Sequence, residues 1–156
     1  MIWKKPHISK IYEALTAIAD KRTELVGDNK GRCYSSSRGK YYEIEFDLNT
    51  NSIMSNDNTA YYTDSLSYPM IAVLMLKGEV VYDEKLLALL KGIYWKDVNQ
   101  KFKNNYDESV EFVLKDLAGK GVNIDFIKKE VNKMFSDIIK KEFKFLGSKT
   151  LPPSGY

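Results

Sequence analysis

Two residue types that perform nucleophilic and zinc chemistry occur once each in this chain. His7 is the single imidazole and Cys33 is the single thiol among 156 residues. A nucleophile activated by histidine needs that base within hydrogen-bond reach, and a zinc site built from Cys and His needs three or four such ligands. The chain therefore cannot build such a zinc site alone. We expect His7 to lie in the first turn of a helix and Cys33 to be a small strand residue, and we assign neither a catalytic role nor a cofactor.

Carboxylates supply the remaining candidates for catalysis. Asp57 and Asp64 lie in one predicted loop, while Glu43, Glu45 and Asp47 alternate along one face of a predicted strand. A carboxylate pair can act in hydrolysis, and a carboxylate cluster can hold Mg²⁺. Alternating acids on an exposed strand are usually solvated surface. We therefore predict no catalytic residues, and we keep a small enzyme that uses loop carboxylates on a phosphate-bearing substrate as an alternative.

Two basic segments surround one predicted strand, and together they form what we call the basic Ser/Gly loop (residues 30–40). Lys30-Gly31-Arg32 opens it, and Ser35-Ser36-Ser37-Arg38-Gly39-Lys40 closes it. Cationic side chains, hydroxyls and backbone amides beside glycine can hold phosphate oxygens. The alternative is an ordinary solvated hairpin. The candidate anion-binding residues are Lys30, Arg32, Ser36, Arg38, Lys40 and the adjoining Tyr41, whose ring could stack on a base.

The last predicted helix carries a second basic surface. Residues 120–149 contain eight lysines against four acidic residues. Lys129, Lys133 and Lys140 recur at spacings that place them near one helix face. These lysines are either the solvated side of an amphipathic helix or a second contact for nucleic acid.

Several classes of protein are excluded or disfavoured. The chain has no Gly-x-Gly-x-x-Gly and no Gly-x-x-x-x-Gly-Lys-Ser/Thr nucleotide fingerprint. Its longest apolar run, residues 68–76, is far shorter than the roughly 20 residues that span a bilayer, and its start lacks the apolar core of a signal peptide. A single cysteine fits a reducing compartment, and a net charge of +3 permits an anionic partner. We expect a cytoplasmic protein without a membrane partner.

Periodicity predicts the elements that position these residues. Alternation over 40–48 predicts a half-buried strand with an acidic outer face. The apolar run over 68–77 predicts a buried central helix. The other predictions are helices over 7–21, 83–90, 95–103, 107–118 and 123–143 and strands over 24–26, 32–37 and 52–57. This order indicates an α+β fold: an N-terminal helix, a small antiparallel β-meander of three or four strands, then a C-terminal helical cluster. We expect one domain over 1–146 and an extended or disordered tail over 147–156.

The segment from Ser35 to Gly78 resembles the SWIM module. That family joins a strand pair to a helix with a core like Met70-Ile71-Ala72-Val73-Leu74 of this chain. The family's zinc-binding positions would fall near residues that are not usual zinc ligands, namely Met54, Asn56, Ser67 and Pro69. The resemblance implies a zinc-free relative in which apolar packing replaces the metal, with a role in DNA or protein binding.

The sequence leaves the physiological ligand unknown and favours a non-enzymatic binding protein. The expected partner is nucleic acid or a protein complex, contacted through the basic Ser/Gly loop. Besides the small enzyme, a structural subunit of a complex stays open as an alternative, and so does a homo-oligomer.

Overall fold

A computed structural model describes residues 1–36 and 39–154. Its α+β architecture confirms the predicted fold class. Helix α1 (Ser9–Ala19) leads into strands β1 (Thr23–Gly27), β2 (Lys30–Tyr34), β3 (Tyr41–Asp47) and β4 (Ser52–Ser55). The helical cluster comprises α2 (Asn58–Thr63), α3 (Tyr68–Leu76), α4 (Lys85–Leu90), α5 (Trp95–Lys101), α6 (Tyr106–Gly119) and α7 (Ile124–Lys140), and the short strand β5 (Lys144–Phe145) follows.

The five strands form one sheet in the order of the sequence. Strands β1 to β4 are an antiparallel meander, and β5 adds to β4 in parallel. The predicted alternation on β3 is confirmed, because Tyr42, Ile44 and Phe46 are buried while Tyr41 and the glutamates between them are exposed. One face of β3 therefore belongs to the core and the other, with Tyr41 and two glutamates, is exposed.

Helix α3 occupies the centre of the core. Its residues 69–75 are all buried, as predicted from a sequence that is apolar around the whole helix. The helix packs against α1 on one side and against the strands β1 to β4 on the other. Gly78 ends the helix with φ = 79°, a left-handed conformation that glycine adopts without steric cost.

Three local features differ from the sequence-based expectations. Residues 58–63, predicted as loop, form the short helix α2, capped by the carboxylate of Asp57. Helix α6 was predicted to begin at Asp107 but begins at Tyr106 with Asn105 as its cap, and the Asp107 carboxylate lies 2.9 Å from His7 Nε2. Strand β5 was not predicted, since two residues carry no period. Each of these features depends on a local cap or a tertiary contact.

The chain after β5 returns to the body of the protein. Residues 147–154 contain neither helix nor strand, and Lys149 Nζ lies 2.5 Å from a carboxylate oxygen of Asp64. Within the described residues, no helix combines the length and the apolar character that a membrane crossing requires.

The contact between Gly31 and helix α3 generates a test of this packing. A Cβ built on Gly31 would lie 2.6 Å from Cγ2 of Val73, inside normal contact distance, whereas a Cβ on Gly27 meets nothing within 4 Å. We expect Gly31→Ala to lower the free energy of unfolding by about 1–3 kcal/mol, because the core must shift to accept it. Gly27→Ala, the matched control on the same hairpin, should change it by less than about 0.5 kcal/mol. Urea unfolding measures both, and equal effects would contradict the packing.

Candidate functional site

A polar cavity of about 400 Å³ lies where the sheet meets the helical cluster. Its sheet side is built by Ser35, Ser36 and Lys40 between β2 and β3, by the residue that precedes β1 and by the start of α2. Its helical side is built by α1 and α5. The volume falls in the range of small-ligand sites. The residues that give it its chemistry are Glu13, Arg22, Ser36, Lys40, Asp57, Lys96 and Asn99.

Arg22 is the buried cation of this cavity. Helix α1 ends at Ala19 and is followed by Lys21 in the left-handed conformation (φ = 57°). Arg22 comes next, with only 5% of its surface exposed. Its Nη1 donates to the backbone carbonyl of Tyr34 at 2.9 Å and lies 3.5 Å from the Tyr68 hydroxyl. Because burying a guanidinium is costly unless its donors are used, these contacts fix its position in the wall.

Two polar side chains lie close to Arg22, the partly buried Tyr68 and the buried Cys33. Burial raises the pKa of Tyr68 well above its ordinary value, and the neighbouring Cys33 adds to that effect while Arg22 opposes it. Burial likewise raises the pKa of the Cys33 thiol to about 11, although a hydrogen bond to Thr23 and the charge of Arg22 oppose it. Both groups are therefore neutral near pH 7, and Arg22 supplies the positive charge of this corner.

Two lysines add positive charge to the cavity. Lys40 follows the β2–β3 turn, and Lys96 lies on α5 with an exposed side chain. The acidic residues of the wall are both engaged. Glu13 pairs with Lys10 at 2.9 Å, and Asp57 is buried among hydroxyl donors. Net positive charge with hydroxyl and amide groups suits an anionic ligand.

Asp57 lines the cavity and connects three neighbouring segments by hydrogen bonds. Its Oδ2 accepts hydrogen bonds from Ser55 at 2.6 Å and Ser67 at 2.5 Å, and its Oδ1 accepts from the backbone N–H of Ala60 at 2.9 Å. One carboxyl group thus joins β4, α2 and the chain just before α3. Burial raises the pKa of Asp57 above its ordinary value, against the opposing effect of these hydrogen bonds.

The structure divides the basic Ser/Gly loop between two surfaces. Ser36 and Lys40 line the cavity. Lys30, Arg32 and Tyr41 lie instead on the outer face of the sheet, where Lys30 is 3.9 Å from Glu45 and Arg32 is 3.9 Å from Glu24. The Arg32 guanidinium lies 4.4 Å from the Tyr41 ring centroid. Arg38 falls outside the described residues.

The lysines of α7 form a separate surface. Lys129, Lys133 and Lys140 are exposed on that helix, and Lys133 pairs with Glu130 at 2.8 Å. Helix α7 packs on α1 and α6, and the cavity is lined by none of these three lysines. The sequence thus predicted residues of three surfaces, and the cavity wall holds Ser36 and Lys40 of them.

The carboxylates weighed for the enzymatic alternative do not face each other. Asp57 precedes α2 and Asp64 follows it, so about 10 Å of helix separates them. Sequence reasoning missed Arg22, Glu13 and Asn99 as site residues. The sequence around them gives no sign of a binding site. Arg22 follows the end of a helix, and Glu13 and Asn99 lie on helices like ordinary polar residues.

The comparisons with known proteins identify a family. A family model described as uncharacterised conserved protein UCP014422 matches residues 3–144, and the chain belongs to that family. Neither the curated proteins nor the solved structures include a significant match. The matched family gives no support to the resemblance to the SWIM module that residues 35–78 suggested.

The raised pKa of Asp57 predicts a pH dependence of stability. The folded state holds this proton more tightly than the unfolded state, whose carboxyl titrates near the ordinary value of 3.8. Stability therefore falls as the pH rises above about 4 through the folded-state pKa. We expect Asp57→Asn, which can still cap α2, to lack this part of the pH dependence.

Ser67→Ala is the companion variant. It removes a hydrogen bond that stabilises the carboxylate, so the loss of stability with rising pH should continue to a higher pH. Urea unfolding of all three proteins between pH 4 and 8 measures these slopes. Parallel curves for wild type and Asp57→Asn would contradict the assignment.

Proposed function

We propose that this member of the family is a non-enzymatic binding protein that holds a small phosphate-bearing anion in the polar cavity. The observation that carries the proposal is Arg22, a guanidinium that is 5% exposed and fixed in the cavity wall. Arginine presents several donors in a planar arrangement that matches phosphate oxygens. A buried arginine fixed by backbone and tyrosine oxygens is already oriented for such a ligand.

The surrounding wall supplies further groups for the same ligand. Lys40 and Lys96 add charge, and the Ser36 hydroxyl and the amides of Gln100 and Asn104 add polar contacts. The buried aromatic side chains Tyr42 and Trp95 offer apolar surface to the rest of the molecule. A cavity of about 400 Å³ accommodates a ligand of nucleotide size or smaller.

Two kinds of ligand could place a phosphate in the cavity: a free small molecule, or the end of a nucleic-acid strand. The concave site favours the free molecule. Contact along a nucleic-acid strand would need a continuous basic surface, whereas acidic residues lie beside Lys30 and Arg32 on the outer face. The two sources are separated by the experiment below.

We also propose the cytoplasm as the working location. Cys33 is a free thiol and is buried, which suits a compartment where thiols stay reduced. Cell fractionation with an antibody to the protein tests this location, and recovery in a secreted or oxidising fraction would contradict it.

Calorimetric titration with inorganic pyrophosphate, AMP and a twelve-nucleotide single strand tests the binding. We expect AMP or pyrophosphate to bind with one-to-one stoichiometry. Lys40→Gln and Lys96→Gln should each weaken binding about 3- to 10-fold, because each removes a charge-assisted hydrogen bond. Arg22→Gln should weaken it further, with unfolding measured in parallel because Arg22 also holds the turn.

The matched controls are Lys129→Gln and Lys140→Gln, which leave the cavity intact and should bind as wild type does. If the strand binds, if its affinity falls steeply with salt, and if these α7 variants weaken it, nucleic acid is the partner and the cavity is not the site. Absence of binding to all three probes overturns the proposal.

A further inference from the structure

We propose that β1 pairs with β1 of a second copy of this chain, so that the two sheets join edge to edge across a two-fold axis. The proposal concerns the sheet edge opposite β5 and does not depend on the ligand of the polar cavity. It comes from an open strand edge whose two ends carry opposite charges.

The two edges of the sheet differ in how the chain covers them. At the β5 edge, Ile2 pairs with Lys144, and the N–H of Phe145 donates to the carbonyl of Met1 at 2.9 Å. Strand β1, by contrast, pairs with β2 alone within the described part of the chain. Four of its five residues, from Glu24 to Gly27, are exposed. The N-terminal segment therefore covers a strand of two residues, while the longer β1 stays open.

The open edge presents backbone groups that can accept and donate hydrogen bonds. The N–H of Tyr34 donates to the carbonyl of Arg22 at 2.7 Å, so these two residues form a hydrogen-bonded pair of the antiparallel ladder. Such pairs alternate with pairs that share no hydrogen bond. Leu25, which lies opposite Gly31, therefore directs its N–H and its C=O away from β2. An unpaired strand edge of this kind is a template for another strand.

The side chains of β1 favour a pairing centred on Leu25. Leu25 and Val26 are 41% and 47% exposed, and antiparallel pairing about Leu25 places the two leucines of the dimer opposite each other. Pairing centred on Glu24 would instead place two carboxylates side by side, which destabilises a strand pair. The strand contains neither proline nor lysine, two residues that commonly protect an exposed edge.

The charges at the two ends of β1 favour a second copy in the antiparallel direction. Lys21 precedes the strand, Asp28 follows it, and both are exposed. Neither belongs to an ion pair among the described residues. In an antiparallel pair the start of each strand lies beside the end of the other, so Lys21 of one copy meets Asp28 of the other. A two-fold axis repeats this attraction, whereas a parallel pairing would bring like charges together.

Sedimentation velocity of the full chain tests for the dimer. A short strand edge buries less surface than the roughly 1,200 Å² of a stable complex, so we expect a dissociation constant in the micromolar range. Measurements between about 1 and 500 μM cover that range. The wild-type chain should change from monomer to dimer across this series.

Two charge reversals test the arrangement of the strands. Lys21→Glu places a carboxylate against Asp28, and Asp28→Lys places an ammonium against Lys21, so each variant alone should dimerise about tenfold more weakly than wild type. An equimolar mixture of the two variants restores both attractive pairs, and it should form a heterodimer about as tight as the wild-type dimer. That recovery would also show that both variants are folded.

The control variant is Lys128→Glu, which makes the same change of charge on an exposed residue of α7 and should dimerise as wild type does. A chain that stays monomeric at the highest concentration overturns the proposal and leaves the open edge to an extended segment of another protein. A dimer that neither reversal weakens also overturns it, and so does a mixture that associates no better than its components, because the interface then lies elsewhere.

Discussion

The burial of α3 on every side is the constraint on which the rest of the structure depends. A helix with no polar face must be covered all round, and here α1 covers one side while the strands β1 to β4 cover the other. Gly31 lets the sheet approach the helix closely at Val73. The inner face of the meander packs against α3, and its outer face includes charged residues such as Lys30 and Glu45. The need to bury the nine residues of α3 accounts for the positions of α1 and the meander around it.

The cavity exists because this covering is incomplete at one end of α3. Tyr68 begins the helix and lines the cavity together with Ser36, Lys40 and residues of α2 and α5, which leave the space between them unfilled. Polar groups gather there because the backbone ends and the caps of several elements meet at the same place. Asp57 illustrates the principle, since the carboxyl group that caps α2 also ties down the chain before α3. Polar groups that hold the elements together thus also line the cavity.

Much of the fold could be predicted from the sequence, whereas most of the site could not. The alternation on β3 and the apolar run of α3 are local patterns that burial enforces, so both were predicted nearly to their ends. Helix α2 is too short to show a period and depends on the cap from Asp57. The cavity residues come from six separate segments, and nothing in the local sequence of Glu13 or Asn99 distinguishes them from solvated helix residues. Of the candidate anion-binding residues, Ser36 and Lys40 lie in the cavity wall, in a segment that glycine and serine marked, and Asp57 was considered only as a loop carboxylate.

The position of Cys33 gives the molecule a built-in reporter of its own motion. The thiol is fully covered by the packed sheet and α3, and with a pKa of about 11 only roughly one molecule in ten thousand is a thiolate at pH 7. An alkylating reagent must therefore wait until β2 separates from α3. The rate of labelling then measures how often the layer beneath the cavity opens, in a protein where no second thiol obscures the signal.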